Sequence, residues 1–301
     1  MKIVFMGTPE YASIILEHII AQEDMEVVAV YTQPDRAVGR KRVITAPIVK
    51  QLAQQYNIPI YQPERLNRQD SIDELLQIEC DFIVVAAYAQ LLSEAILNYV
   101  PCINLHASIL PQYRGASPIQ QAILDGNSVT GVTSMLMDRG LDTGAILKIS
   151  KLQIAPDELA PSLYDRLAHC AKTLTIQTLR EFDKLPQIDQ DNSQASHCKK
   201  ITRADGEVEF QDALSLYDRY RAFTPWPGIY LKSGLKLLRI SLEQGAGGSA
   251  GKIVQIDSDG VVVECSRGVI KIFTVQAPSK KPILATAYVN TKELKVAHTL
   301  S

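Results

Sequence analysis

Short apolar runs alternate with amphipathic or polar stretches along the first 180 or so residues. Lys2 to Met6 (KIVFM) reads as a strand ended by Gly7, and Pro9 stands where a first helical turn tolerates it, ahead of YASIILEHII. The alternation returns as EVVAVYT from Glu26, a helical APIVKQLAQQYN from Ala46, the run IPIY, a polar helix around Asp70 to Gln77, and DFIVVAAYA from Asp81. A helix near Ser93 to Asn98, the strand CINLHAS at Cys102 to Ser108, a helix at Pro118 to Leu124 and the strand GVTSMLM at Gly131 to Met137 continue it. Continuous apolar strands between helices predict an α/β fold with a doubly wound, mostly parallel sheet.

The pattern then changes twice. After LKISKLQIA and a long amphipathic helix from Pro161 to Phe182, the stretch LPQIDQDNSQASHCKK loses periodicity and reads as a linker. Beyond Gly206 come a helix near Leu214 to Phe223, the stiff TPWPG, and short runs broken by glycines (IYLK, LKLLRISL, GKIVQID, GVVVECS, GVIKIFTVQA), the spacing of a small β-module such as a five-stranded barrel. The expected layout is an α/β domain over 1–184, a linker over 185–205 and a β-barrel domain over 206–301.

Composition narrows the class. Across 301 residues, 46% are hydrophobic and 21% charged, as in ordinary globular chains. The longest apolar run falls well short of the ~18 residues needed to span a bilayer, and MKIVFMGTPE lacks the features of a secretory or transit signal, so a cytoplasmic location is expected. Five cysteines, odd in number and without a C-x-x-C, suggest neither a disulfide framework nor a zinc site. A net charge of -2 excludes a uniformly basic nucleic-acid coat and leaves room for local patches.

Ligands of open parallel sheets bind at the carboxyl ends of the strands. Three polar residues are candidates there: Asn104 and His106 in INLHAS, and Asp142 in the loop DRGLDTG. Two positions apart on a strand, Asn104 and His106 face the same side, which costs free energy in an apolar sheet unless both find partners. The irregular SILPQYRGASP, with Pro111, Arg114 and Gly115, would lie beside them, and Gly140 and Gly144 permit a tight loop around Asp142. Asn, His and Asp together suit attack on a carbonyl: amide and imidazole N–H groups stabilise the oxyanion while the carboxylate accepts the proton of an attacking amine. No G-x-S-x-G elbow is present, no cysteine has an evident base and no metal is called for, so direct transfer is favoured over covalent catalysis.

Two basic features invite a nucleic-acid partner. One is the loop carrying Arg36, Arg40, Lys41 and Arg42; the other is the C-terminal module, where ten Lys and Arg face five Asp and Glu between Trp226 and Ser301. Trp226, between two prolines, reads as a structural wedge rather than a stacking platform.

The run INLHASILPQYRGASPIQQAI followed by TGVTSMLMDRGLDTGAIL resembles the active-site signature of the 10-formyltetrahydrofolate-dependent formyltransferases. The resemblance implies that Asn104, His106 and Asp142 are the catalytic trio. By the same likeness Ser108, Ile109, Leu110 and Pro111 contact the folate, and Leu91, Asp138, Gly140 and Leu141 line the pterin pocket. KIVFMGTPEYA, TQPDRAVGR, APIVKQLA and RAFTPWPG extend the likeness over the whole chain, to the branch of the family that acts on initiator methionyl-tRNA. That branch implies a Rossmann-like first domain, an OB-fold-like barrel, 10-formyltetrahydrofolate as formyl donor, tRNA contacts from Arg36, Arg40, Lys41, Arg42 and Lys200, and a monomer. The chain departs from the family pattern at Ala89, where glycine is usual, at Ala37-Val38 for Pro-Ala, at Ile109 for leucine, and at Lys41-Arg42-Val43 for Gly-Lys-Lys. The alternatives are formylation of an amino sugar nucleotide, a folate deformylase, and a non-catalytic RNA-binding protein. A nicotinamide dehydrogenase is disfavoured because GTPEYA is not G-x-G-x-x-G.

Overall fold

Four consecutive residues of the first strand, Ile3 to Met6, are fully buried, so that strand needs cover on both faces. The computed structural model, which describes residues 1–39 and 42–300, provides it; Arg40 and Lys41 of the basic loop lie outside the described residues. The chain divides into two compact units. Unit 1 comprises Met1–Pro118, Val129–Gln153 and Tyr164–Cys198, and unit 2 comprises Ile119–Ser128, Ile154–Leu163 and Lys199–Ser301.

Through the first half, the elements run β1 (Lys2–Gly7), α1 (Glu10–Ile20), β2 (Glu26–Tyr31), β3 (Arg36–Val38), β4 (Val43–Thr45), α2 (Ile48–Gln55), β5 (Ile60–Tyr61), α3 (Gln69–Leu76), β6 (Phe82–Ala86) and α4 (Glu94–Leu97). Then follow β7 (Cys102–His106), β8 (Arg114–Gly115), α5 (Pro118–Leu124), β9 (Val129–Leu136), β10 (Ile146–Gln153), α6 (Ala160–Glu181) and β11 (His197–Cys198). The unit 1 sheet has the order β10-β9-β7-β6-β1-β2-β5. Its ladders between β1, β2, β5, β6 and β7 are parallel, whereas β9 is antiparallel to β7 and β10 to β9. Gly7 makes the first turn possible: a Cβ there would stand 2.5 Å from Ala12 Cβ and 2.9 Å from the Ala86 carbonyl. With that space free, α1 packs Tyr11, Ala12, Ile15, Leu16 and Ile19 into the core, each large apolar side chain contributing about 1.5–3 kcal/mol.

Unit 2 holds α7 (Ala213–Phe223), β12 (Ile229–Tyr230), β13 (Lys236–Glu243), β14 (Ile253–Ile256), β15 (Val261–Glu264), β16 (Val269–Gln276), β17 (Ile283–Leu284) and α8 (Ala285–Thr291). Asp212 caps α7 by accepting from Ser215 N at 2.8 Å. The strands pair antiparallel in the order β12-β13-β16-β15-β14, with β17 also on β16. Alternate residues Val261, Val263, Ile270 and Ile272 are buried, the half-buried pattern of an antiparallel sheet. The sequence pattern did not anticipate α8. Its seven residues are too few for periodicity to register, although Ala285 and Val289, one turn apart, are both buried. Among the described residues no helix is long and apolar enough to cross a membrane.

Candidate active site

Asn104 and His106 project from one face of β7, and Asp142 meets them. Asp142 Oδ1 lies 3.3 Å from Asn104 Nδ2 and 3.6 Å from His106 Nδ1, with the His and Asp side chains only 8% and 11% exposed. The other carboxylate oxygen, Oδ2, accepts from Gly115 N at 2.8 Å. The strand alternation expected for Asn104 and His106 is thus realised, and each polar group has a partner.

Asp142 arrives by a different route from the one the sequence suggests. In a fully parallel sheet the loop after GVTSMLM would leave at the carboxyl edge, beside His106. Because β9 is antiparallel to β7, that loop departs near the start of β7, where Met137 N donates to the Cys102 carbonyl (2.8 Å), and then turns back. The return is tight. Asp142 has φ 56°, and a Cβ on Gly144 would overlap the Leu136 carbonyl oxygen. Asp138 organises the entry to the loop, its Oδ1 accepting from Gly140 N (2.9 Å) and Thr143 Oγ1 (2.6 Å).

The imidazole orientation follows from its second partner. His106 Nε2 is 2.8 Å from the Tyr113 carbonyl oxygen, which can only accept, so Nε2 carries the proton and Nδ1 faces the carboxylate. The segment presenting Tyr113 is held from both sides. Ser108 Oγ donates to Gln112 O (2.6 Å), Thr133 Oγ1 donates to Ser108 O (2.7 Å), and Leu110 N donates to Thr133 Oγ1 (3.1 Å). On the far side β11 pairs with β8 in parallel, Tyr113 N donates to Ser196 Oγ (2.9 Å) and Ser117 N to Cys198 Sγ (3.3 Å).

The partner strand comes from the stretch expected to be a linker. Up to Cys198 that stretch belongs to unit 1 and carries Gln190, whose Nε2 donates to the carbonyls of Asp142 (3.0 Å) and Gly144 (2.7 Å). Arg114 donates to Gln190 Oε1 from Nε (3.0 Å) and Nη2 (2.8 Å), and from Nη2 to Asn192 Oδ1 (3.0 Å). Gln190 escaped the sequence analysis because a polar residue in an aperiodic stretch leaves no pattern to read.

The remaining expected residues are dispersed in character. Ser108 and Leu110 are buried, Ile109 and Pro111 half-buried, and Asp138 and Gly140 exposed. Leu91 is 68% and Leu141 55% exposed. Leu91 also borders a cleft of about 300 Å³ with Arg65, Asn67 and Gln90. Ala89, the departure from glycine, has φ 64°, in the left-handed region. Arg36 and Arg42 are exposed on the hairpin formed by β3 and β4, and Lys200 is exposed in unit 2. Trp226, expected as a wedge, is instead 60% exposed.

A formyl transferase family model matches residues 1–179, and the model of the formyl transferase C-terminal domain matches residues 200–293. The chain belongs to the formyl transferase family. It is 53% identical over 302 residues to the methionyl-tRNA formyltransferase of Sulfurimonas denitrificans, covering 100% of each chain. It is 51% identical to that of Nitratiruptor sp., covering 99% of each. Among solved structures, an N-formyltransferase from Helicobacter canadensis, described with folinic acid and dTDP-3-aminofucose, shares the fold. Its TM-score is 0.70 at 16% identity, with 91% of this chain and 99% of that one covered. The chain is therefore an enzyme of formyl transfer, with a Rossmann-like sheet domain and a smaller antiparallel β-domain. Gln190 and the β11 strand fall between the two matched stretches.

Proposed function

We propose that this chain transfers the formyl group of 10-formyltetrahydrofolate to the α-amine of methionine on initiator tRNA. The observation that carries the reading is the convergence of Asn104, His106 and Asp142 on one carboxylate oxygen, in a chain more than half identical to a methionyl-tRNA formyltransferase. In the reaction the neutral amine attacks the formyl carbon, a C–N bond forms, and the carbonyl oxygen takes up negative charge. Asn104 keeps one amide N–H for that oxygen while the other holds Asp142. His106 is fixed through Nε2 on the Tyr113 carbonyl, and in its protonated form it supplies a second donor from Nδ1. Asp142 takes the amine proton through water, the bond from the formyl carbon to the donor nitrogen breaks, and that nitrogen receives the proton as tetrahydrofolate leaves.

Exposed Leu91 and Leu141 suit the flat heterocycle of a folate, and half-buried Ile109 and Pro111 are the accessible members of the proposed folate segment, in which Ser108 and Leu110 are buried. Arg36 and Arg42 on the β3–β4 hairpin, Lys200, and Arg40 and Lys41 outside the described residues are the proposed phosphate contacts. A cytoplasmic monomer is the expected working form.

The test is formylation of charged initiator tRNA by the purified protein with 10-formyltetrahydrofolate, beside charged elongator tRNA and an amino sugar nucleotide. Initiator-selective product is the expected result. Formylated sugar, or folate turnover without any tRNA product, would overturn the acceptor assignment.

A further inference from the structure

The amide of Gln190 is oriented by chemistry alone. A guanidinium has only donors and a carbonyl only accepts, so Gln190 Oε1 must face Arg114 and Nε2 must face the carbonyls of Asp142 and Gly144; exchanging the two ends would break all four bonds. Arg114 is 4% exposed, and among the described residues its side chain meets no carboxylate, only the amide oxygens of Gln190 and Asn192. A buried cation satisfied by neutral dipoles holds them firmly, since releasing either leaves charge unsolvated. The frame is therefore stiff where it touches the loop.

It touches the loop at its most constrained point. Asp142 combines a left-handed backbone with a carboxylate that must serve Asn104, His106 and Gly115 N together. Gly115 N restrains one end of that side chain, the carboxylate oxygen. The bond from Gln190 restrains the other end, the main chain that the side chain springs from.

We propose that Gln190 is a positioning residue: it transmits the Arg114 fork to the main chain of Asp142 and thereby aims the carboxylate at Asn104 and His106. The proposal rests on the reading of Asp142 as proton acceptor given above. Gln190 acts through Asp142 and not on the reacting atoms, so its effect belongs in turnover rather than in substrate affinity.

Four variants test this: Gln190→Ala, Gln190→Glu, Asp142→Asn and the double Gln190→Ala/Asp142→Asn, each assayed for kcat and for KM toward both substrates, with its melting midpoint. Gln190→Ala is expected to lose roughly 10- to 100-fold in kcat, the scale of a misplaced catalytic group, with both KM values unchanged within about two-fold. Gln190→Glu keeps an acceptor for Arg114 but sets an oxygen against two carbonyls, so it should lose at least as much; it carries the test if the alanine variant does not fold. In the Asp142→Asn background Gln190→Ala should cost nothing further, because the group it aims is already gone. Normal kcat in both Gln190 variants, or a loss repeated in full on top of Asp142→Asn, overturns the proposal. Normal turnover of Asp142→Asn alone overturns the reading of Asp142 and the positioning role with it, a failure visible in that single variant.

Discussion

Aspartate and asparagine tolerate a left-handed backbone better than most residues, which makes Asp142→Asn an informative substitution. The asparagine suits the left-handed backbone and its Oδ1 can accept from Gly115 N, while its Nδ2 replaces the oxygen that Asn104 and His106 face and removes charge and basicity. We expect kcat to fall by at least ~100-fold with the affinity for charged tRNA unchanged; single-turnover formylation and filter binding check the two halves of that statement. Ala89 shares the backbone region without a polar side chain to ease it. Glycine adopts it freely, so Ala89→Gly should stabilise the protein by up to about 1 kcal/mol, the steric gain less the extra entropy glycine loses. Thermal unfolding measures it. His106 shows what a single residue discloses from sequence and what it hides. Its place on the strand face was legible from spacing alone, but the Tyr113 carbonyl that fixes its tautomer belongs to an irregular segment whose path no periodicity encodes.

At the scale of elements, the β3–β4 hairpin pairs Arg36 with Thr45 and leaves Val43, Ile44 and Thr45 exposed. Arg36 lies at its base and Arg42 just before β4, so the arginines sit at separate points along the hairpin. If each meets one phosphate, Arg36→Ala and Arg42→Ala should each lower the slope of log K against log salt for tRNA binding by about one; titrations at several salt concentrations read this directly. The strands β1, β2, β6 and β7 and the helices α5, α6 and α7 were legible because burial on both faces, or on one helical stripe, writes itself into the order of apolar residues. The direction of β9 was not, since GVTSMLM would bury equally well either way round, and direction decided how Asp142 reaches β7. The stretch holding Gln190 and β11 reads as a linker in sequence, yet up to Cys198 it belongs to unit 1, for a related reason. Its stability comes from hydrogen bonds to distant backbone, which leave composition polar and pattern absent.

Across the whole molecule, Cys80, Cys102, Cys198 and Cys265 are buried and Cys170 half-buried. Burial pushes the thiols of Cys80 and Cys265 up to about 11 and that of Cys102 up to about 12. A thiol reagent should therefore label Cys170 first and the other four only as the protein unfolds. The sign of the pH dependence follows from the same burial: above roughly pH 8.5 unfolded chains release thiol protons that the folded state retains, so stability falls with rising pH up to the folded values. At the acid end, Arg180 beside Asp24, Gln62 and Lys50 around Asp35, and Lys199 beside Asp205 hold those carboxyls below their ordinary range. Their contribution is present above about pH 4 and is lost as pH drops through the folded values, so the melting midpoint should form a plateau near neutrality with a decline on both sides. The β8–β11 pairing has a consequence in time. Tyr113 and Ser196, bonded in the finished protein, stand 83 positions apart in the chain. At ribosomal rates of ~5–20 residues per second, roughly 4 to 17 s separate their synthesis. A nascent chain that has just completed α6 already holds Asn104, His106 and Asp142 but neither Gln190 nor β11, so the candidate site lacks its full set of hydrogen-bond partners until the last residues of unit 1 have been made.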